Sequence, residues 1–131
     1  MAILGSNLQK FFLIGFAGGL GALARYGLAG IVQKHAGFGF PWGTATVNLV
    51  GCFLFGLLWV SMEERFPVTA DTRIVVLAGF MGAFTTFSTF VFETQQLLED
   101  SQYLAALGSV ALQNGGGLAA VILGMAAGKW I

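Results

Sequence analysis

The chain has 131 residues, 56% of them hydrophobic and 9% charged, and a mean hydropathy of +0.82, far outside the range of a soluble domain. Its 6 Lys and Arg are balanced by 6 Asp and Glu, which excludes a basic surface for nucleic acid and an acidic tail. Such a composition describes an integral membrane protein.

A helix needs about 20 mostly apolar residues to cross a bilayer. Four stretches meet that need, at about 11–32, 44–62, 74–98 and 103–125. The links between them hold most of the charge and leave no room for a soluble domain.

The first stretch follows Lys10 and reaches Ala22-Leu23-Ala24, which imitates a secretory signal with a small-residue cleavage site. Apolar sequence continues past Arg25, so the segment is expected to stay in place as a span. GGLGALARYG also matches the dinucleotide fingerprint formally, but no acidic residue follows about 20 positions later. Close helix packing explains Gly15, Gly18, Gly19 and Gly21 better. The Arg25 cation is costly in a membrane unless it reaches a headgroup or a water-filled mouth.

The second stretch contains PWGTATVNLVGCFLFG. An amide at Asn48 without a partner would cost several kcal/mol there, so Asn48 must face protein or water. Two readings stand: it bridges helices, or its NH2 group offers two donors to an anion. Thr44, four residues earlier on the same face, adds a hydroxyl. Cys52 is the sole cysteine; it forms no intrachain disulfide and is expected to pack as a small apolar residue. One Cys and one His exclude a zinc or iron site built on those ligands within one subunit.

The third stretch holds GFMGAFTTFSTF. Gly79 and Gly82 weaken the helix, and backbone unwound in hydrocarbon is tolerated only beside protein, water or an ion. A break in this span is therefore expected at the bundle centre, where freed carbonyl oxygens suit a small hard cation. Once the helix resumes, Thr85, Ser88 and Thr89 share one stripe, and Phe87 and Phe90 form a neighbouring one. Structurally, such hydroxyls bond back to the preceding turn; functionally, four hydroxyls in five positions form a polar track. Glu93, four residues after Thr89, either caps that track or snorkels at the interface.

In the fourth stretch Gln113-Asn114 precedes Gly115-Gly116-Gly117. This sets amide donors beside a place where helices can approach closely, and helix glue explains it equally well. No phosphate loop, no readable Cys–His–carboxylate motif and no carboxylate pair within a span is present, so catalysis is not expected.

Four short glycine-rich helices leave much surface to pair, which predicts an oligomer. With four spans, Lys10, Arg65, Arg73 and Lys129 share one side of the membrane, against Arg25 and Lys34 on the other. The positive-inside bias is weak, so insertion in either direction stays open and an antiparallel pair becomes plausible.

Taken together, GGLGALARYG, FPWGTATVNLVGCFLFG and GFMGAFTTFSTFVFET closely resemble the Fluc (CrcB) family of fluoride channels. The resemblance runs from the first span to the last, and GFxGxxTTFSTF is its most specific part. It implies an all-α membrane protein: an antiparallel, dual-topology homodimer of four-helix subunits, with the third helix broken at the membrane centre. It further implies two fluoride pathways and a structural Na+ held by the carbonyls of Gly82 and Thr85 from both subunits. Phe87 and Phe90 would line the fluoride path with ring edges, Asn48 would donate to the anion, and Ser88 and Thr89 would continue the track. Arg25 matches the arginine that ends the family's first helix. Where a hydroxyl residue of the fourth helix is expected, Gln113 stands, with Gly117 one turn on.

The expected function is passive export of cytoplasmic fluoride across the bacterial inner membrane, with lipid and a second copy as its partners. A small multidrug-type exporter needs a carboxylate in the first span, and 11–32 contains none. A non-conducting assembly subunit would use the polar residues only to join helices.

Overall fold

The computed structural model describes the backbone of residues 2–131 and the side chains of residues 6–131. It is helical throughout, with no strand among the described residues. Four helices are long and apolar enough to cross a membrane: Ser6–Ala36, Trp42–Arg65, Ala70–Glu99 and Tyr103–Trp130. This is a multi-pass membrane protein.

In finer division, α1 is Ala2–Ala36 and α2 is Trp42–Val60, continued by a π-helical turn, π1, over Ser61–Arg65. The third span joins α3 (Ala70–Ile74), π2 (Val75–Met81), α4 (Gly82–Phe84) and α5 (Phe87–Glu99). The fourth joins α6 (Tyr103–Ala111), π3 (Leu112–Gly116) and α7 (Gly117–Trp130). Each π turn bonds i to i+5, shifting the faces presented on either side of it.

The first helix ends where Gly37 takes φ +91 and its N–H reaches the Gln33 carbonyl at 3.1 Å, a glycine-terminated C-cap. The Gln33 side chain then fastens the turn into α2. Its Oε1 accepts from the Gly43 N–H at 2.9 Å, and its Nε2 donates to the carbonyls of Phe40, at 2.9 Å, and Gly37.

Two pairings build the bundle: α2 against α7, and α1 against π2 and α4. Both depend on missing side chains. A Cβ at Gly124 would lie 2.0 Å from the Phe53 carbonyl oxygen, and one at Gly21 would lie 2.3 Å from that of Phe80. The backbones therefore touch directly, as membrane helices do when small residues face each other. Between them lies a small core of Val47, Leu77, Met81 and Phe84.

At one end the long links are tied by polar contacts: Lys10 to Asp71 at 2.6 Å, Arg65 to the Lys129 carbonyl at 2.6 Å, and Arg73 over the Trp59 ring at 5.2 Å. Elsewhere the chain covers itself sparingly. Only 6% of the most apolar window of the first span is buried, against 33% for the second and third. The face carrying Phe12, Phe16, Leu20 and Leu23 is exposed.

Candidate functional site

The third span departs from helix at Thr85 and Thr86. Thr85 has φ -93 and ψ 159, and Thr86 has φ -148 and ψ 116, both extended. Gly79 and Gly82, the residues whose low helix propensity suggests a weak point, lie within helical backbone instead. Gly79 serves packing: a Cβ there would sit 3.1 Å from both the Ala17 Cβ and the Ile14 carbonyl oxygen. The expected stripe of Thr85, Ser88 and Thr89 is corrected accordingly, because Thr85 precedes the resumed helix and its hydroxyl bonds back to the Met81 carbonyl at 3.2 Å.

Asn48 stabilises the departure. Its Oδ1 accepts from the Thr86 N–H at 2.8 Å and its Nδ2 donates to the Thr86 carbonyl at 3.0 Å. One side-chain amide thus replaces the two backbone partners that Thr86 loses by leaving the helix. The Thr86 hydroxyl caps α5, accepting from the Thr89 N–H at 3.2 Å, the usual role of threonine at an N-cap. It also contacts the hydroxyls of Thr89 at 3.0 Å and Ser88 at 3.4 Å.

A cavity of about 270 Å³ opens beside this clamp, lined in part by Asn48, Thr85, Thr86, Phe87, Phe90 and Gln113. The two phenyl rings have centroids 5.7 Å apart with planes inclined at 56°. Phe90 is buried, whereas Phe87 is 74% exposed. A second cavity, of about 410 Å³, is lined by Arg25, Thr44, Thr86, Thr89 and Glu93 among others. Thr86 borders both cavities.

In the second cavity the Thr44 hydroxyl donates to Glu93 Oε1 at 2.9 Å. The other oxygen, Oε2, is buried with no hydrogen-bond partner among the described residues. Glu93 and Gln33 also line a third, more polar cavity of about 370 Å³ with Gln96 and Asp100.

The structure thus gathers Asn48, Thr85, Phe87, Phe90 and Gln113 around one space, and Arg25, Thr44, Thr89 and Glu93 around the next. Gly82 and Ser88 lie on the exposed face instead. Among the described residues no group of three His, Cys, Asp or Glu side chains could hold a metal ion.

Four further residues belong to the site. Thr86 is its pivot. Gly51 lets α2 approach, since a Cβ there would lie 2.2 Å from the Thr85 methyl; its place three residues after Asn48, on the same helical face, is the signal that points to it. Ser109, fully buried, accepts from Gln113 Nε2 at 3.2 Å. Thr94 lies 3.5 Å from Ser109 and donates to the Phe90 carbonyl at 2.8 Å.

The family model for "CrcB-like protein, Camphor Resistance (CrcB)" matches residues 12–125. The chain belongs to the CrcB family. Among its relatives, a protein named fluoride-specific ion channel FluC from Solidesulfovibrio magneticus is 52% identical over 124 residues, which is 95% of this chain and 99% of the relative. The FluC protein of Nitrosococcus oceani is 53% identical, covering 88% of this chain and 93% of its own length. That of Nitratidesulfovibrio vulgaris strain Miyazaki F is 51% identical, covering 95% and 100%. CrcB relatives are named as ion channels, not enzymes, and this member of the family is not an enzyme.

Proposed function

We propose that this chain is a passive fluoride channel that lets cytoplasmic fluoride leave down its electrochemical gradient across the bacterial inner membrane. The observation that carries the reading is the cavity at the Thr85–Thr86 departure, which amide side chains and phenyl rings line together, in a chain about half identical to proteins named fluoride-specific channels.

Fluoride is small and strongly hydrated, so a pathway must supply donors that replace its water. Asn48, Thr89 and Ser88 supply N–H and O–H groups. The phenyl ring has a positive edge, so Phe87 and Phe90 can favour an anion without holding it by a fixed charge. Repeated weak sites let the ion leave again. Arg25, Thr44 and Glu93 would form the polar mouth of the path.

The working unit in this reading is an antiparallel homodimer in lipid. Support comes from the sparsely covered first span and from Gly82, Phe87 and Ser88 on an open face. A reporter fused to the carboxyl terminus would then label both sides of the membrane; a single orientation would argue against such a dimer.

A central Na+ fits the donors present. The extended ψ of Thr85 turns its carbonyl out of the helical ladder, and a Cβ built at Gly82 meets only the Leu77 carbonyl oxygen, at 3.8 Å. Carbonyls of Gly82 and Thr85 from two copies would give a hard, neutral oxygen set of the kind that suits Na+. When bound, the ion would supply positive charge beside the anion path.

The deciding experiment is fluoride efflux from protein-loaded vesicles read by an ion-selective electrode, with chloride as control. Rapid fluoride release with chloride retained is the expected result. Release of neither ion would overturn the proposal.

A further inference from the structure

We infer, resting on the fluoride-channel reading, that the side-chain amide of Gln113 is a reversible part of the anion site: it accepts from Asn48 when the site is empty and turns over to donate when fluoride enters. Both hydrogens of Asn48 Nδ2 are engaged, one with the Thr86 carbonyl at 3.0 Å and the other with Gln113 Oε1 at 2.6 Å. An anion therefore gains no donor from Asn48 unless one of these acceptors yields.

The chemistry of the partners says which one. A backbone N–H only donates and a carbonyl only accepts, so Thr86 fixes the orientation of the Asn48 amide through two bonds at once. Turning Asn48 would break both. The Gln113 side chain meets Asn48 at its Oε1 and the Ser109 hydroxyl at its Nε2, 3.2 Å away. A hydroxyl can donate as well as accept.

Thr94 leaves Ser109 free to do either. Its hydroxyl donates to the Phe90 carbonyl at 2.8 Å and more distantly to the Ser109 oxygen, 3.5 Å away. The Ser109 oxygen accepts from both Thr94 and Gln113, so its own proton is engaged by neither and can serve Gln113. When the Gln113 amide turns, its Oε1 accepts from Ser109 and its Nε2 comes round beside Asn48 Nδ2.

Two N–H donors then converge with no acceptor between them. That arrangement is unfavourable when empty and favourable around a small anion, because the one Asn48–Gln113 bond is exchanged for two bonds to the ion. Fluoride, the strongest hydrogen-bond acceptor among the halides, gains most. The cavity that holds Asn48, Gln113, Phe87 and Phe90 supplies the space.

The test uses the full-length protein labelled with 15N-glutamine, its side-chain amide resonances followed as sodium fluoride or sodium chloride is added. The Gln113 signal is identified by its loss in Gln113→Leu. The expected result is a saturable shift of that signal with fluoride and none with chloride. Ser109→Ala should abolish the shift and slow fluoride efflux on the order of tenfold, as loss of one buried hydrogen bond would. Gln113→Leu should slow efflux similarly, and the double variant no further.

A Gln113 signal that fluoride leaves unmoved in a conducting channel overturns the inference. So does a Gln113→Leu channel faster than its parent, which would make Gln113 only a competing acceptor. Absence of fluoride flux in the unmodified protein would instead overturn the channel reading on which this rests.

Discussion

The side-chain amide of Asn48 pairs with both backbone groups of Thr86, at 2.8 Å and 3.0 Å, across 38 residues of chain. An asparagine in the second span thereby completes the backbone of the third at the point where it leaves the helix. The same residue links to the fourth span through Gln113, so three spans meet at one side chain.

Asn48→Asp keeps an acceptor for the Thr86 N–H but sets negative oxygen against the Thr86 carbonyl and Gln113 Oε1. Two donated bonds vanish and an approaching anion is repelled. Fluoride efflux should fall by about 100-fold or more, measured in vesicles, with gel filtration checking that the assembly survives. Efflux at the parent rate would show that Asn48 only joins helices.

Replacing Phe87 or Phe90 by Ile keeps apolar character but removes the ring edge. Each variant is expected to conduct on the order of tenfold more slowly. Thermal unfolding should separate them: Phe90 is buried and Phe87 is 74% exposed, so Phe90→Ile should lose more stability, about 1–3 kcal/mol. Normal conduction by both would reduce the rings to packing.

Gly51→Ala places a Cβ 2.2 Å from the Thr85 methyl and 3.2 Å from a ring carbon of Phe84. The departure from helix must shift or α2 must withdraw, a loss of about 1–3 kcal/mol. Adding Thr85→Ser deletes the methyl while keeping carbonyl and hydroxyl. The pair should therefore be coupled by about 1 kcal/mol or more in unfolding measurements, with efflux partly restored; strict additivity would contradict the contact.

Gly124→Ala sets a Cβ 2.0 Å from the Phe53 carbonyl oxygen and 3.0 Å from the Leu57 nitrogen. Backbone atoms cannot swing aside, so α7 must leave α2, at a cost of about 3 kcal/mol or more. Gly117→Ala, on the same helix, meets only the Cys52 sulfur at 3.4 Å, an ordinary contact. Its stability should stay within about 1 kcal/mol of the parent. Folded yield after extraction, together with thermal unfolding, distinguishes the two; equal behaviour would refute the backbone-to-backbone pairing.

The candidate site was legible in part. Asn48 and the run Thr85–Phe90 stood out because polar groups in apolar spans need partners; Asn48, Thr85, Thr86, Phe87 and Phe90 gather around one cavity, while Thr89 borders the next and Ser88 lies exposed. The glycines misled about where the third span departs from helix: Gly79 is required for contact with α1, and a residue needed for close packing looks in sequence like one needed for flexibility. Ser109 and Thr94 passed unnoticed because a lone hydroxyl in a membrane helix bonds back to its own turn more often than not. π2 and π3 add a further difficulty, since an extra residue per turn rotates the faces that a 3.6-residue period assigns.

Length, hydropathy and the placement of charge were enough for the four spans, because crossing a bilayer sets a minimum apolar length that composition alone reveals; the resemblance to the family rested instead on particular runs such as GGLGALARYG and GFMGAFTTFSTF. Tertiary structure decided where the third span leaves its helix and what each polar group there bonds to. Hydrogen bonds such as those from Asn48 to Thr86 and Gln113 join residues 38 and 65 positions apart. No local propensity encodes such distances; they exist only once helix packing, set by glycines such as Gly51 and Gly124, brings the spans together.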